Sequence, residues 1–193
     1  MVRDSAATKA RILKAATAEF SERGLAGARV DRLAASAGAN KQLIYAYFGS
    51  KEALFDATLE ANLETLLDGV PFDAADLTGY ARQLFDFNLA HPDLGRLARW
   101  HALERPGMLM QLPNAGASIR RKIGALAAEQ AAGRIDDSLS PAQLFVMLLA
   151  VIHAEQGPPG GAASGHAVEE HIASQREAVA VAVHRLVTPT VRP

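Results

Sequence analysis

The chain has 193 residues, 49% of them hydrophobic, with 39 alanines, no cysteine and a formal net charge of −1. Its length suffices to bury a sizeable core, and the abundance of alanine, the best helix former, favours an all-helical protein. The lack of cysteine excludes disulfides and thiolate metal sites. Since no run of about 18 uncharged apolar residues is present and the N-terminus is charged where a signal peptide is apolar, we expect a cytoplasmic protein without a membrane partner.

Charge is distributed unevenly along the chain. Residues 1–51 contain nine Lys and Arg against four Asp and Glu, a net charge of +5. The remaining residues contain eleven Lys and Arg against seventeen Asp and Glu, a net charge of −6. A basic first quarter followed by an acidic body indicates that the N-terminal part meets a polyanion.

Four helices are predicted in the first 70 residues. The first covers residues 8–24, with Thr8 as its N-cap. A second covers residues 30–37 and ends at Gly38, because glycine takes the positive φ of a sharp turn. Asn40 then caps a third helix and Ser50 a fourth, and this last helix ends near residue 69.

Five further helices are predicted in the body, over residues 77–90, 94–105, 115–132, 141–155 and 167–188. The sharpest boundary is Leu-Ser-Pro-Ala-Gln-Leu at residues 139–144. There Ser140 is the N-cap, Pro141 is the first helical residue and Gln143 completes a capping box. The Gly- and Pro-rich residues 157–165 predict a loop. The sequence therefore predicts an all-α fold of about nine helices without strands.

The second and third predicted helices form a helix-turn-helix unit around Gly38-Ala39, and the first helix packs beneath them. In that geometry the second helix of the unit enters the major groove N-terminus first. Lysine can donate to guanine, glutamine can pair with adenine, and leucine can contact a thymine methyl group. The candidate base readers are therefore Lys41, Gln42 and Leu43. The alternative is a small helical core with ordinary solvated lysines.

Phosphate contacts are predicted around the same unit. Tyr45 lies four residues after Lys41 on one helix face, where its hydroxyl can bond a phosphate. Lys51 opens the next helix, where its charge and the free backbone N–H groups can hold another phosphate. Arg29, at the start of the first helix of the unit, is placed to do the same.

Three patterns follow one another in the first 55 residues: R-I-L-x-A-A-x-x-x-F-x-x-x-G at 11–24, V-x-x-L-A-x-x-A-G at 30–38 and I-Y-x-Y-F-x-x-K-x-x-L at 44–54. With them, residues 7–55 resemble the DNA-binding domain of the TetR family of bacterial transcriptional regulators. The recognition helix of the family corresponds to residues 40–47, with its phosphate-contacting residues at Tyr45, Tyr47 and Lys51. The resulting DNA-binding set is Arg29, Asn40, Lys41, Gln42, Leu43, Tyr45, Tyr47 and Lys51.

Some positions depart from the family pattern. Asn40 stands where many members have a serine or threonine cap, and Gln42 and Leu43 replace a common Gly and Thr. Ala28 and Arg29 stand where a threonine often opens the first helix of the motif. These differences leave the DNA-binding role intact but bear on which operator is read.

The resemblance implies two domains and a two-fold dimer. Residues 1–50 would form the DNA-binding domain, with the helix-turn-helix at about 29–48, and residues 51–193 a ligand-binding and dimerisation domain. A dimer would place its recognition helices about 34–36 Å apart on a palindromic operator. The last two long helices are expected to form the interface, through Leu144, Leu148, Val151, Val179, Ala182, Val183 and Leu186. The alternative is that these stripes pack only within one chain.

An unidentified small-molecule effector is expected in the second domain. Trp100-His101 is the best candidate contact, because a large ring beside a polar imidazole suits a mostly apolar site. The alternative is that aromatic and methionine side chains at helical spacing belong to the ordinary hydrophobic core and do not contact a ligand. The full candidate set is Phe85, Leu89, Trp100, His101, Met108, Met110, Ile123 and Phe145.

No pattern in the sequence predicts an enzyme, a cofactor or a metal site. His166 and His171 are five residues apart, which does not place them on one helical face, and no H-E-x-x-H, G-x-S-x-G or phosphate-loop motif is present. The favoured function is a dimeric, ligand-responsive DNA-binding regulator, most simply a repressor released by its effector. The alternatives are a helical small-molecule binding protein with a vestigial helix-turn-helix, and a transcriptional activator.

Overall fold

The computed structural model of the chain describes residues 2–154 and 165–189, excluding the side chains of residues 2–4, 64 and 166. This part of the chain contains nine α-helices, one 3₁₀ turn at Leu109–Gln111 and no strand. The helices are α1 (Val2–Gly27), α2 (Val30–Ala37), α3 (Lys41–Phe48), α4 (Lys51–Asp68), α5 (Leu77–Ala90), α6 (Pro92–Glu104), α7 (Pro113–Ala131), α8 (Pro141–Ile152) and α9 (Gly165–Val187). The all-helical prediction is confirmed.

The chain divides into two compact units. The first contains residues up to Gly69 together with His91–Ala117, and the second contains Val70–Ala90 together with the residues from Ser118 onward. Helices α4 and α6 therefore lie in the same unit as α1–α3. The functional boundary expected at residue 50 remains a prediction, but the packing boundary lies elsewhere.

Some predicted helix boundaries were wrong. Helix α1 begins at Val2, so Thr8 lies inside the helix and is not its N-cap. The alanines that precede Thr8 are strong helix formers, and the helix extends through them. Helix α7 begins two residues earlier than expected, at Pro113, since proline is favourable at a first helical position. The predicted loop at 157–165 lies outside the described residues except for Gly165, which opens α9.

The predicted N-caps of three later helices are confirmed. The Asn40 side chain accepts a hydrogen bond from the Leu43 N–H at 2.7 Å, and Ser50 Oγ accepts one from the Ala53 N–H at 3.0 Å. At the start of α8, Ser140 Oγ accepts from the Gln143 N–H at 3.3 Å, and Gln143 Oε1 accepts from the Ser140 N–H at 3.0 Å. This reciprocal pair is a capping box, which satisfies backbone groups that the helix leaves unpaired.

Helix α1 is the centre of the first unit and packs against α2, α4 and α6. Ile12 and Ala16 are fully buried on its inner face, and Phe20 contacts Phe55 of α4 with ring centroids 4.8 Å apart. Ile44 of α3 joins the same apolar cluster. Burial of these side chains gives the helix-turn-helix a rigid base, because apolar burial is the main stabilising contribution in a unit of this size.

The end of α1 is joined to α6 at Gly24. Gly24 has φ 65° and ψ −175°, which interrupts the helix. The Glu104 carboxylate accepts hydrogen bonds from the backbone N–H groups of Leu25 and, at 2.8 Å, Ala26. A Cβ atom at position 24 would lie 2.8 Å from the Trp100 ring, so α6 approaches the backbone directly. Glycine is thus required here for both conformation and space.

A second link joins α1 to α2 through Glu19. Its carboxylate accepts hydrogen bonds from the Arg32 guanidinium and, at 2.8 Å, from the Arg29 backbone N–H. Partial burial raises the pKa of Glu19, but these hydrogen bonds and the charge of Arg32 outweigh it, so the pKa lies below 4.5. The pair fixes the first helix of the helix-turn-helix against α1.

The second unit packs α5 against α8 and α9. Its core includes Phe85 of α5, Leu148 and Ile152 of α8, and Val183 of α9, all of which are fully buried. Among the described residues, no helix is both long and apolar enough to cross a bilayer.

Gly24→Ala should destabilise the chain more than Gly38→Ala. Gly38 lies in the left-handed helical region, where alanine costs about 1–2 kcal/mol. Gly24 combines φ 65° with ψ −175°, a region confined almost to glycine, and a Cβ there would also meet Trp100 and Glu104. Urea denaturation of both variants measures the difference. An equal loss of stability in the two variants would contradict both the special backbone conformation of Gly24 and its contact with α6.

Glu19→Gln should lower the free energy of unfolding at pH 7 and have little effect near pH 3. Because the folded-state pKa of Glu19 is depressed, its stabilisation is present above the unfolded value of 4.5 and is lost as the pH falls through the folded value. Urea denaturation at the two pH values measures this. A destabilisation that does not depend on pH would contradict the link to Arg32.

Candidate nucleic-acid interface

Helices α2 and α3 form a helix-turn-helix with a tight left-handed turn. Gly38 has φ 59° and ψ 39°, and the N–H groups of Gly38 and Ala39 donate to the carbonyls of Ala35 and Ala34. These bonds close the C-terminus of α2, and Asn40 caps α3 immediately afterwards. The turn therefore fixes where α3 begins and which face it presents.

Helix α3 has one buried face and one exposed face. Ile44 is 1% exposed and packs into the core of the first unit. Lys41 and Gln42 are exposed at its N-terminus, while Leu43, Tyr45 and Tyr47 are half-buried. The predicted base readers thus lie at the free end of a helix held from behind, the arrangement that the major groove admits.

Lys41 forms an ion pair that was not predicted from the sequence. Its Nζ lies 3.3 Å from Oδ2 of Asp31 on α2, and both side chains are largely exposed. Exposed ion pairs of this kind contribute little to stability, so Lys41 can exchange Asp31 for a DNA acceptor at small cost.

Lys51 has an intramolecular role in addition to its predicted phosphate contact. Its Nζ donates to the Ala28 carbonyl at 2.9 Å and lies 3.5 Å from the Ala26 carbonyl. These contacts close the connection between α1 and α2. An ammonium group has three donors, so one remains for a phosphate.

Two other cationic side chains border the helix-turn-helix. Arg29 is exposed at the N-terminus of α2, as the sequence predicted. Lys9 of α1, which was not predicted, places its Nζ 5.4 Å from the centroid of the Phe48 ring at the end of α3. Lys9 is 39 residues before Phe48, and no local pattern indicates that the two meet.

The predicted effector residues divide between the two units. Trp100, His101, Met108 and Met110 belong to the first unit, and Phe85, Leu89, Ile123 and Phe145 to the second. Trp100 packs on Gly24, and Met110 is 45% exposed. The set as a whole stays a prediction.

His101 contacts a carboxylate within the first unit. It is 1% exposed, and its Nε2 lies 3.1 Å from Oδ1 of Asp56 on α4. Arg105 donates to both oxygens of the same carboxylate, at 2.6 and 3.1 Å. The Phe55 ring lies against His101 with centroids 5.3 Å apart. Asp56 therefore binds His101 of α6 and Arg105, the residue that follows the helix.

The second unit contains a buried lysine that the sequence reading did not single out. Lys122 of α7 is 3% exposed, and its Nζ lies 5.8 Å from the centroid of the Phe72 ring. Phe72 also contacts the rings of Tyr80 and Phe145. Lysine is seldom buried in proteins, so the apolar pattern of the sequence does not indicate that Lys122 lies in the core.

Most predicted dimer-interface residues are buried within the chain itself. Leu144, Leu148, Val179 and Val183 are all at most 6% exposed. Val151 and Leu186 are half-buried, and Ala182 is exposed. The exposed large apolar side chains of α8 and α9 are instead Val146, Met147 and Val181.

The part of the chain that the structure describes holds no group of three or more His, Asp or Glu side chains that could bind a metal ion.

Comparisons with known proteins agree with the helix-turn-helix geometry. Residues 12–58 match the family model described as bacterial regulatory proteins, tetR family, and residues 76–185 match the tetracyclin repressor-like C-terminal domain. The HTH-type transcriptional repressor SCO4008 of Streptomyces coelicolor is 43% identical over 77% of this chain and 78% of its own. The HTH-type transcriptional repressor NicS of Pseudomonas putida is 29% identical over 76% of this chain and 74% of its own.

A solved structure shows the same fold over nearly the whole chain. The crystal structure of SCO4942 from Streptomyces coelicolor, described as that of a transcriptional regulator, has a TM-score of 0.77 and 36% identity. It covers 96% of this chain and 99% of its own. With two family domains in order and a helix-turn-helix whose α3 is exposed at its N-terminus, the chain belongs to the TetR family of bacterial DNA-binding transcriptional regulators.

Proposed function

We propose that the chain is a homodimeric transcriptional repressor that binds a palindromic operator and is released by a small-molecule effector. The observation that carries this proposal is the two-sided α3, with Ile44 buried beneath it and Lys41 and Gln42 exposed at its N-terminus. The repressor role is supported by the relatives SCO4008 and NicS, both of which are named as repressors.

The DNA contacts divide into two kinds. Lys41 and Gln42 are proposed to reach base edges and Leu43 to meet a thymine methyl, because all three lie at the N-terminus of α3. Arg29, Tyr45, Tyr47 and the remaining donor of Lys51 serve the phosphates, which fix position without specifying sequence. Asn40 acts mainly as the cap that sets the start of α3.

Dimerisation is proposed through the exposed sides of α8 and α9. Val146 and Met147 lie on α8 at 60% and 47% exposure, and Val181 lies on α9 at 43%. Ala182 follows Val181 and allows close helix approach. Val151 and Leu186 border these stripes, whereas the buried Leu144, Leu148, Val179 and Val183 would support the interface from within.

The effector is proposed to bind within residues 76–185, which match the tetracyclin repressor-like C-terminal domain. We propose no enzymatic activity, metal or other cofactor, and a cytoplasmic location where the chromosome is accessible. An activator is the remaining alternative, since the sign of regulation depends on where the operator lies relative to the promoter.

Lys41→Ala should weaken binding to the DNA upstream of the chain's own gene by about tenfold or more and change random-duplex binding much less. Arg120→Ala removes one positive charge from an exposed site on α7 and serves as the control. Titration of labelled DNA at several salt concentrations measures both. If wild-type protein binds the two duplexes equally, or if Lys41→Ala has no effect, the helix-turn-helix is vestigial.

Val181→Glu should convert the dimer to a monomer and weaken operator binding by about 100-fold or more, since two half-sites would no longer bind together. Leu103→Glu makes the same chemical change at a 74% exposed position of α6 and should leave the dimer intact. Sedimentation velocity of the two variants measures this. A dimeric Val181→Glu protein would place the interface elsewhere.

A further inference from the structure

Lys9 of α1 lies beside the C-terminus of α3. Its side chain is exposed, and its Nζ is 5.4 Å from the centroid of the ring of Phe48, the last residue of α3. Phe48 is half-buried and packs against the core of the first unit. The face of an aromatic ring attracts an ammonium group without neutralising its charge. Lys9 is thus held at the recognition helix with its positive charge intact.

The acidic side chains around Lys9 have other partners. Three of the four acidic side chains of residues 1–51 lie in the described part of the chain, and each pairs with a different basic residue. The pairs are Glu19 with Arg32, Glu22 with Arg23 and Asp31 with Lys41. Among the described residues, no carboxylate forms an ion pair with Lys9. Its charge is therefore available to an anion from outside the chain.

The C-terminal end of α3 needs such a cation before a phosphate can approach it. A helix C-terminus carries the negative end of the helix dipole, and the last turn of α3 contains no basic residue. The Gly49 N–H donates to the Tyr45 carbonyl at 2.8 Å, which closes the helix but adds no charge. Lys9 supplies the positive charge from a different helix.

The length of α3 places Lys9 at the height of the DNA backbone. Lys41 and Phe48 are seven residues apart, which is roughly 10 Å along a helix axis. The major groove is about 8.5 Å deep, so a side chain beside Phe48 lies near the groove rim when Lys41 reaches the bases. The ring of Tyr47, an expected phosphate contact, is 6.3 Å from the Phe48 ring at the same end.

We propose that Lys9 contacts a DNA phosphate at the C-terminal end of α3, so that α1 takes part in the DNA interface as well as supporting it. This inference rests on the proposed DNA-binding function and adds a contact from outside the helix-turn-helix. The ammonium group has three N–H donors, enough to serve phosphate oxygens while it stays beside the ring. A contact to the backbone positions the protein and carries no sequence information.

The salt dependence of DNA binding tests this contact. With Lys9→Gln, the logarithm of the binding constant should fall less steeply with the logarithm of salt concentration. The slope should change by about 0.9 for each bound Lys9, hence by about 1.8 for a dimer with both subunits on DNA. Affinity at 0.1 M salt should fall by about tenfold or more, and by a similar factor for the upstream DNA and a random duplex. Titration of labelled duplexes measures both quantities, and an unchanged slope would overturn the proposal.

Two matched variants separate a phosphate contact from a packing role. Lys14→Gln makes the same change at an exposed position of α1, five residues later and about 140° around the helix, and should leave the slope unchanged. Lys9→Arg keeps both the charge and the contact with the ring, so it should keep the wild-type slope. Equal slope changes in the two glutamine variants, or an arginine variant as shallow as Lys9→Gln, would refute a phosphate contact at Lys9.

The two duplexes separate this inference from the proposed function. If wild-type protein shows no preference for the upstream DNA, the proposed operator-binding regulator fails, while the slope on the random duplex still decides the Lys9 contact. If the preference is present and Lys9→Gln leaves both slopes unchanged, the Lys9 contact fails alone.

Discussion

The burial of one face of α1 is the constraint on which the first unit depends. Ile12, Ala16 and Phe20 form a continuous apolar surface, and α2, α4 and α6 all pack on the helix that carries it. Helix α3 gains its fixed orientation indirectly, through Ile44 and the caps at its start. A recognition helix eight residues long is too short to be stable alone, so its shape and exposed face are properties of the whole unit.

Two carboxylates then make α6 part of that unit. Glu104 binds the backbone that follows Gly24, and Asp56 binds His101 and Arg105. Both links are hydrogen bonds to charged groups, which are stronger than neutral ones. They give His101, which the sequence suggested as a ligand contact, a structural contact with Asp56, and its contact with an effector stays a prediction.

Local features of this fold could be predicted from the sequence, and distant contacts could not. The caps at Asn40, Ser50 and Ser140 are bonds between residues three apart, so the pattern itself contains both partners. Glu104 meets Leu25 across 79 positions, with no local signal that the two pair. The role of the apolar stripes of α8 and α9 was also ambiguous in the sequence. Periodicity indicates that one helix face is buried, but it does not indicate whether the same chain or a second copy of the chain covers that face. The exposed N-terminus of α3 was predictable because the family pattern fixes its position.

The place of α6 bears on how chimeric regulators are built from members of this family. A fusion cut at residue 50 would take the helix-turn-helix from one protein and the partners of Gly24 from another. Such a chimera would keep every DNA-reading side chain and still lose the contacts of Trp100 and Glu104 with the end of α1. The transferable module is therefore discontinuous in sequence, and an exchange of operator specificity has to carry residues 91–117 along with the first 69.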